Sequence, residues 1–264
     1  MPISEEFFLA PPRERPRWLK TTYPELMILE SMDSSHPVGG AALAVDLSSQ
    51  KIKFVLTPAD SSGKGETLSA KTTEFARSQA VQIAINGSPY APMDFFNRSN
   101  RPVDIIGIQM NNSLLLSQGV ASFDALYILD DGSIEFGSQN NKPPNTMLAL
   151  GGFHMLLEDG VILGTKDSRH PRTSIGLSED RETLYLAVFD GRQKDRAGLT
   201  SEETALWMQW LGCHHALNLD GGGSSTLVLE DGTGKVQLLN NPVHRGLPGL
   251  ERAVGNHLGI KLIK

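Results

Sequence analysis

With a single cysteine, Cys213, among 264 residues, the chain cannot close an internal disulfide, and a zinc site built on thiolates is excluded with it. No apolar run approaches the ~20 residues that span a bilayer as a helix. The formal net charge is -6, and no run of lysines and arginines offers the basic face that nucleic acid demands. Residues 1–17 carry Glu5 and Glu6 and no apolar stretch, so no signal peptide is visible and no compartment is assigned. No His-x-x-x-His or Glu-x-x-His pair supports a zinc hydrolase. His214 and His215 are adjacent; on a strand they point to opposite faces and cannot chelate one metal together.

What remains is an ordinary globular composition, 39% hydrophobic and 20% charged, long enough for a sizeable core. Residues 1–37 hold six prolines and read as an irregular lead-in, with Trp18 as a possible anchor. Residues 38–264 read as one α+β domain, with a mixed, largely antiparallel sheet and a few packed helices. Strand-like runs fall at 41–47, 51–57, 81–85, 105–110, 125–129, 133–136, 149–157, 161–163, 183–189 and 258–263. Asp130-Asp131-Gly132 and Glu158-Asp159-Gly160 are hairpin turns, which imply antiparallel pairing. A helix is expected from 68 or 69 to 79. A second follows the capping box Thr200-Ser201-Glu202-Glu203 and stops at Gly212.

The chemistry concentrates where apolar strands run into an acid or amide and then glycine. Three stretches share that format: Ile85-Asn86-Gly87, Phe189-Asp190-Gly191-Arg192 and Leu219-Asp220-Gly221-Gly222-Gly223. A single Asp-Gly after a strand is usually an ordinary turn. Three together, one continuing into Ser224-Ser225-Thr226, point to groups converging at one edge of a sheet, where ligands bind. Asn218 and Asp220 alternate with Leu217 and Leu219 and share a face. Arg169, Arg172 and Arg192 offer planar forks for phosphate or carboxylate, with an ion pair between Arg172 and Asp190 as the equally weighted alternative. His170, between Arg169 and Pro171, is the best functional histidine. No lysine follows the glycines, so they are not a P-loop. A strand rather than a helix follows them, which excludes a dinucleotide fingerprint, and Thr226 breaks the Gly-x-Ser-x-Gly elbow. A carboxylate site for Ca²⁺ or Mg²⁺ on Asp220 or Asp190 stays open, although nothing in the sequence demands a cofactor.

The run from Asn218 to Thr226 resembles the signature of the phosphodiester glycosidases. So do, in the same order and spacing, residues 169–176, 188–192, the helix behind Thr200, Asn240-Asn241-Pro242 and residues 253–260. The likeness extends over about residues 40–263. It departs at Ser88-Pro89-Tyr90, where the family usually shows a second glycine and two aromatics, which puts the substrate in question. The resemblance implies a hydrolase that cleaves a sugar-1-phosphate diester at the anomeric C–O bond, with a sugar phosphate or glycan as its partner. Asp220 and Asp190 would supply nucleophile or base, in an order left open. Arg172 and Arg192 would hold the phosphate, assisted by the amides of Gly221, Gly222 and Gly223 and the hydroxyls of Ser224 and Ser225. Asn86, Thr173 and Asn218 would contact sugar or phosphate oxygens. Two other classes stay open: a non-catalytic domain binding a saccharide or cell-envelope polymer, and a metal-dependent phosphodiesterase. The low aromatic content, 6%, weighs against the first.

Overall fold

The computed structural model describes residues 8–30, 37–49 and 51–263. Pro2, Glu5 and Glu6 lie outside those residues. Strands dominate, and the named strand pairings are all antiparallel, in three main sheets of eight, five and five strands. The expected α+β class with a mixed sheet is thus corrected to a mainly β protein with, among the described residues, two α-helices, α1 (Thr72–Gln79) and α2 (Ser201–Leu211). Neither is long and apolar enough to cross a membrane.

The eight-stranded sheet places Gly40–Asp46, Thr183–Phe189, Arg172–Leu177 and His215–Asn218 side by side at its centre. Leu184, Leu186 and Val188 turn inward with Leu43, Ile175 and Leu217, where they meet Leu126 and Leu150 of the second sheet and Ile83, Ile85 and Leu258 of the third. Ala187, Phe189 and Ala216 turn outward beneath Trp207, Met208 and Leu211 of α2. Because both faces are covered, the 183–189 run reads as nearly continuous apolar sequence. On the third sheet α1 does the same, with Phe75 and Ala76 against Ala84 and Val228.

Local sequence sets the helix ends. Thr200 Oγ1 accepts from the Glu203 N–H at 3.1 Å, and Glu203 Oε2 accepts from the Thr200 N–H at 2.9 Å, closing the capping box that the sequence announces. Gly212, at φ 117°, ends α2 in a conformation that favours glycine. The first helix starts at Thr72, later than expected, because Thr67–Leu68 pairs instead with Pro102–Ile105. The 105–110 run divides at Gly107, whose φ is 127°. The 149–157 run divides into Thr146–Gly151 and Met155–Glu158, which belong to different sheets.

The lead-in is less irregular than its prolines imply. Trp18–Lys20 and Leu26–Leu29 form an edge hairpin of the large sheet, and Trp18 meets Tyr185 with ring centroids 5.8 Å apart. Further upstream the Leu9 and Glu14 carbonyls accept from the indoles of Trp207 and Trp210 at 2.8 and 2.6 Å, which straps the segment across α2.

One crossing matters most for the site. The chain leaves the large sheet at Asn218 and enters the third sheet at Leu227–Glu230, so the glycine stretch is the passage from one sheet to the other. Leu217 packs fully buried at the start of that passage. Leu217→Ala is expected to cost about 2–5 kcal/mol of stability, read as a lowered denaturation midpoint at unchanged slope.

Candidate active site

Beside that passage opens a cleft of about 470 Å³, lined by Tyr90, Phe153, His170, Asn218, Asp220 and the three glycines, with Arg192 and Arg252 at its walls. The glycine passage is a tight 3₁₀ turn, Gly222–Ser224. Gly222 is at φ 64°, and a Cβ on Gly221 would sit 2.7 Å from the Pro171 carbonyl oxygen. Those two positions need glycine. Guanidinium groups lie against the other open faces, Arg192 on Gly222 and Arg252 on Gly223.

Asp220 stands at the start of this turn. Its Oδ2 accepts from Ser224 Oγ at 2.6 Å and its Oδ1 from the Gly221 N–H at 3.0 Å. Burial pushes its carboxyl up to about 6, against the opposing pull of Ser224, Arg252, the Gly221 amide and Arg192. Among the described residues lining the cleft, Asp220 is the one carboxylate.

The two cationic walls are tethered alike. Arg192 Nη2 donates to His170 Nδ1 at 3.1 Å, and Arg252 Nε donates to His244 Nδ1 at 3.2 Å. Arginine has no acceptor, so each imidazole must accept, which makes both neutral with the proton on Nε2. Burial first, then the adjacent arginines, holds both histidine pKa values below the usual imidazole value. Asn218 completes the lining. It is buried, and its Oδ1, closed off from solvent, has no hydrogen-bond partner.

Several residues expected at the substrate are engaged by partners within the protein. Asn86 is fully buried: its Nδ2 donates to the Asp220 carbonyl at 2.7 Å, while its Oδ1 accepts from Thr173 Oγ1 at 2.9 Å and from the Thr226 N–H at 3.0 Å. Neither Asn86 nor Thr173 lines the cleft. The Gly87 carbonyl takes the Asp220 N–H at 2.9 Å, so this strand end grips Asp220 from both sides. Asp190 does not line the cleft either. Its carboxylate accepts from Asn240 Nδ2 at 2.9 Å and from the Asn241 N–H at 3.1 Å, and burial raises its pKa against those bonds. Arg172 borders the cleft, but its guanidinium donates to the Leu199 and Ser168 carbonyls and to Asp167 at 2.8 Å. It forms no ion pair with Asp190. Arg169 is spent on Glu203, at 2.6 Å.

The amides of Gly221, Gly222, Ser224 and Ser225 bond within the protein, so the expected cradle of turn amides is largely used up. Ser225 Oγ is buried and unpaired but lies off the cleft. Of the departing loop, Ser88 faces inward to Asn256 and the Gly151 carbonyl, while Pro89 and Tyr90 reach the cleft. Sequence reasoning missed Arg252 and His244. The one available signal was position: Arg252 directly precedes the 253–260 segment of the family resemblance.

The adjacent histidines also depart from expectation. His214 lies just before the strand His215–Asn218, and its Nδ1 approaches His215 Nε2 to 3.4 Å. The two rings therefore reach the same side.

Solved structures share this architecture. The catalytic domain of zebrafish N-acetylglucosamine-1-phosphodiester alpha-N-acetylglucosaminidase, auto-inhibited by its pro-peptide, superposes with a TM-score of 0.64 at 21% identity, covering 94% of this chain and 88% of that one. A hypothetical protein from Synechocystis gives 0.62 at 15% identity, with 89% and 61% covered. The fold is thus the one these structures share. The sequence profile of the phosphodiester glycosidases matches residues 79–261, and the chain belongs to that family. A curated relative, the SPbeta prophage-derived uncharacterized protein YomE of Bacillus subtilis, is 28% identical over 215 residues. That match covers 74% of this chain and 30% of YomE, so the chain spans under a third of that relative's length.

Asn86→Ala strips a buried donor and acceptor from three partners. The expected cost is roughly 3 kcal/mol or more, against about 0.5 kcal/mol or less for Arg192→Ala at the exposed wall. Urea denaturation of the two variants reads the contrast.

Proposed function

We propose that the cleft hydrolyses a glycosyl phosphodiester at the anomeric C–O bond, with Arg192 and Arg252 binding the phosphate and Asp220 serving the anomeric centre. The observation that carries the reading is one carboxylate of raised pKa between two guanidinium groups. A phosphate diester entering the cleft finds two planar forks for its oxygens. When the C–O bond breaks, its electron pair leaves with the phosphate monoester, a weak base that needs little protonation. Positive charge builds on the sugar ring in an oxocarbenium-like transition state.

Asp220, ionised, faces that charge and takes the proton of the water whose oxygen joins the anomeric carbon. This chemistry needs one carboxylate where an ordinary glycoside needs a second as acid, and one is what the cleft lining supplies. Asn218 lines the cleft beside Asp220 and offers its amide as a polar contact to the sugar. His170 and His244 aim the arginines and stay neutral, so they do not act as acids. Asp190, Asn86, Thr173 and Arg172 hold the frame.

In ¹⁸O-water, a glycosyl phosphodiester should give label in the sugar and none in the phosphate. Label in the phosphate would mean P–O cleavage and overturn the reading in favour of a phosphodiesterase. Asp220→Asn should lower turnover at least about a thousandfold, in the range of losing an essential group, while leaving the thermal midpoint nearly unchanged. Because the working form of Asp220 is the deprotonated one, kcat/KM should fall about tenfold per pH unit below about 6 and level off above it.

A further inference from the structure

At the end of the strand His215–Asn218 away from Asp220, a second cluster has no part in the proposed chemistry. Asp159, His214 and His215 bring one ligand atom each to within 4.8 Å of one another. His214 Nδ1 lies 3.4 Å from His215 Nε2, and His215 Nε2 lies 3.5 Å from Asp159 Oδ1. In a tetrahedral zinc site with bonds of about 2.0–2.1 Å, neighbouring donors stand roughly 3.3–3.4 Å apart. Both measured edges match that spacing to within about 0.2 Å, the tolerance such sites show. We propose that Asp159, His214 and His215 form a site for a zinc-type divalent cation, with water at the remaining position.

The backbone already holds these donors in place. Asp159 sits at the tip of the hairpin joining Met155–Glu158 to Val161–Ile162, at a φ of 49°. The next amide, Gly160 N–H, donates to the His214 carbonyl at 2.8 Å, pinning the hairpin tip to the junction between α2 and the strand. Ligand atoms on rigid elements lose little freedom on metal binding. Ligation through His215 Nε2 puts that ring's proton on Nδ1, which gives up a weak 3.5 Å contact from the Asp159 N–H.

Access and charge also fit. Asp159 is exposed at the mouth of an open cleft of about 460 Å³ that Glu158, Asp124 and His154 also line. Among the described residues lining it, the one arginine or lysine is Arg181, whose guanidinium donates to the Ile134 carbonyl at 3.1 Å. Two imidazoles and a carboxylate suit zinc and its neighbours better than Ca²⁺ or Mg²⁺, which take oxygen ligands. At about 3.3 Å per residue, the five residues from His215 to Asp220 place this site on the order of 15 Å from the catalytic carboxylate. Its role is therefore structural: it clips the hairpin to a point 55 residues further along the chain, and it stabilises the fold by binding the native state alone.

The test titrates zinc chloride into untagged, chelator-treated full chain by calorimetry and follows the thermal midpoint. Wild type should bind one ion per chain with a raised midpoint. His214→Ala should bind at least about tenfold more weakly and lose the midpoint rise. Asp159→Asn, which keeps the left-handed turn because asparagine tolerates it, should do the same with an unchanged metal-free midpoint. No binding by wild type overturns the proposal, and so does unaltered binding by both variants.

Discussion

One buried carboxamide holds the site in register. The chain must pass from the large sheet to the third sheet within the few residues after Asn218, and a tight glycine turn cannot brace itself through side-chain packing. Asn86 supplies the brace. It projects from the end of the third sheet and bonds to Thr173 of the large sheet, to the carbonyl of Asp220 and to the amide beyond the turn. Those groups lie out of water, where an unmet donor or acceptor costs about 1–3 kcal/mol, so the arrangement is closer to obligatory than to preferred. The position of the Asp220 carboxylate follows from the tie on its own main chain.

The charged residues divide by what their burial permits. A buried guanidinium must be fully engaged, since stranding a charge away from water costs several kcal/mol. Arg172 meets that demand with carbonyls and a carboxylate of the surrounding loops, and the partly buried Arg169 is held by Glu203 of α2. Asp190 meets it with the amide groups of Asn240 and Asn241. Such groups are too committed to serve a passing ligand. Arg192, exposed, and Arg252, half-buried, need no such commitment; each is fastened by an imidazole, and Arg252 reaches Ser224 Oγ as well, at 3.5 Å.

This division explains what was legible in the sequence. The hairpins at Asp131-Gly132 and Asp159-Gly160, the capping box of α2 and the centre of the large sheet were readable because turn chemistry and apolar periodicity are local. The strand ends at Asn86 and Asp220 do meet, but across two sheets rather than at one sheet edge, and Asp190 stays off the cleft. Which of these polar residues faces the ligand was not readable, because that depends on partners far along the chain: Asn86 on Asp220 and Thr226, Asp190 on Asn240, Arg172 on Leu199. The paired histidines show the same limit. A strand rule separated their side chains, yet His214 precedes the strand, and alternation does not govern it there.

The imidazole posts carry a consequence for both arms. A neutral ring holds an arginine by accepting a hydrogen bond from it. A doubly protonated ring has no acceptor and carries a like charge. Acidification thus unties Arg192 and Arg252 while adding two positive charges beside them. The cleft's pull on an anion grows as its arms lose their aim, so tight binding and ordered binding belong to different ends of the pH scale.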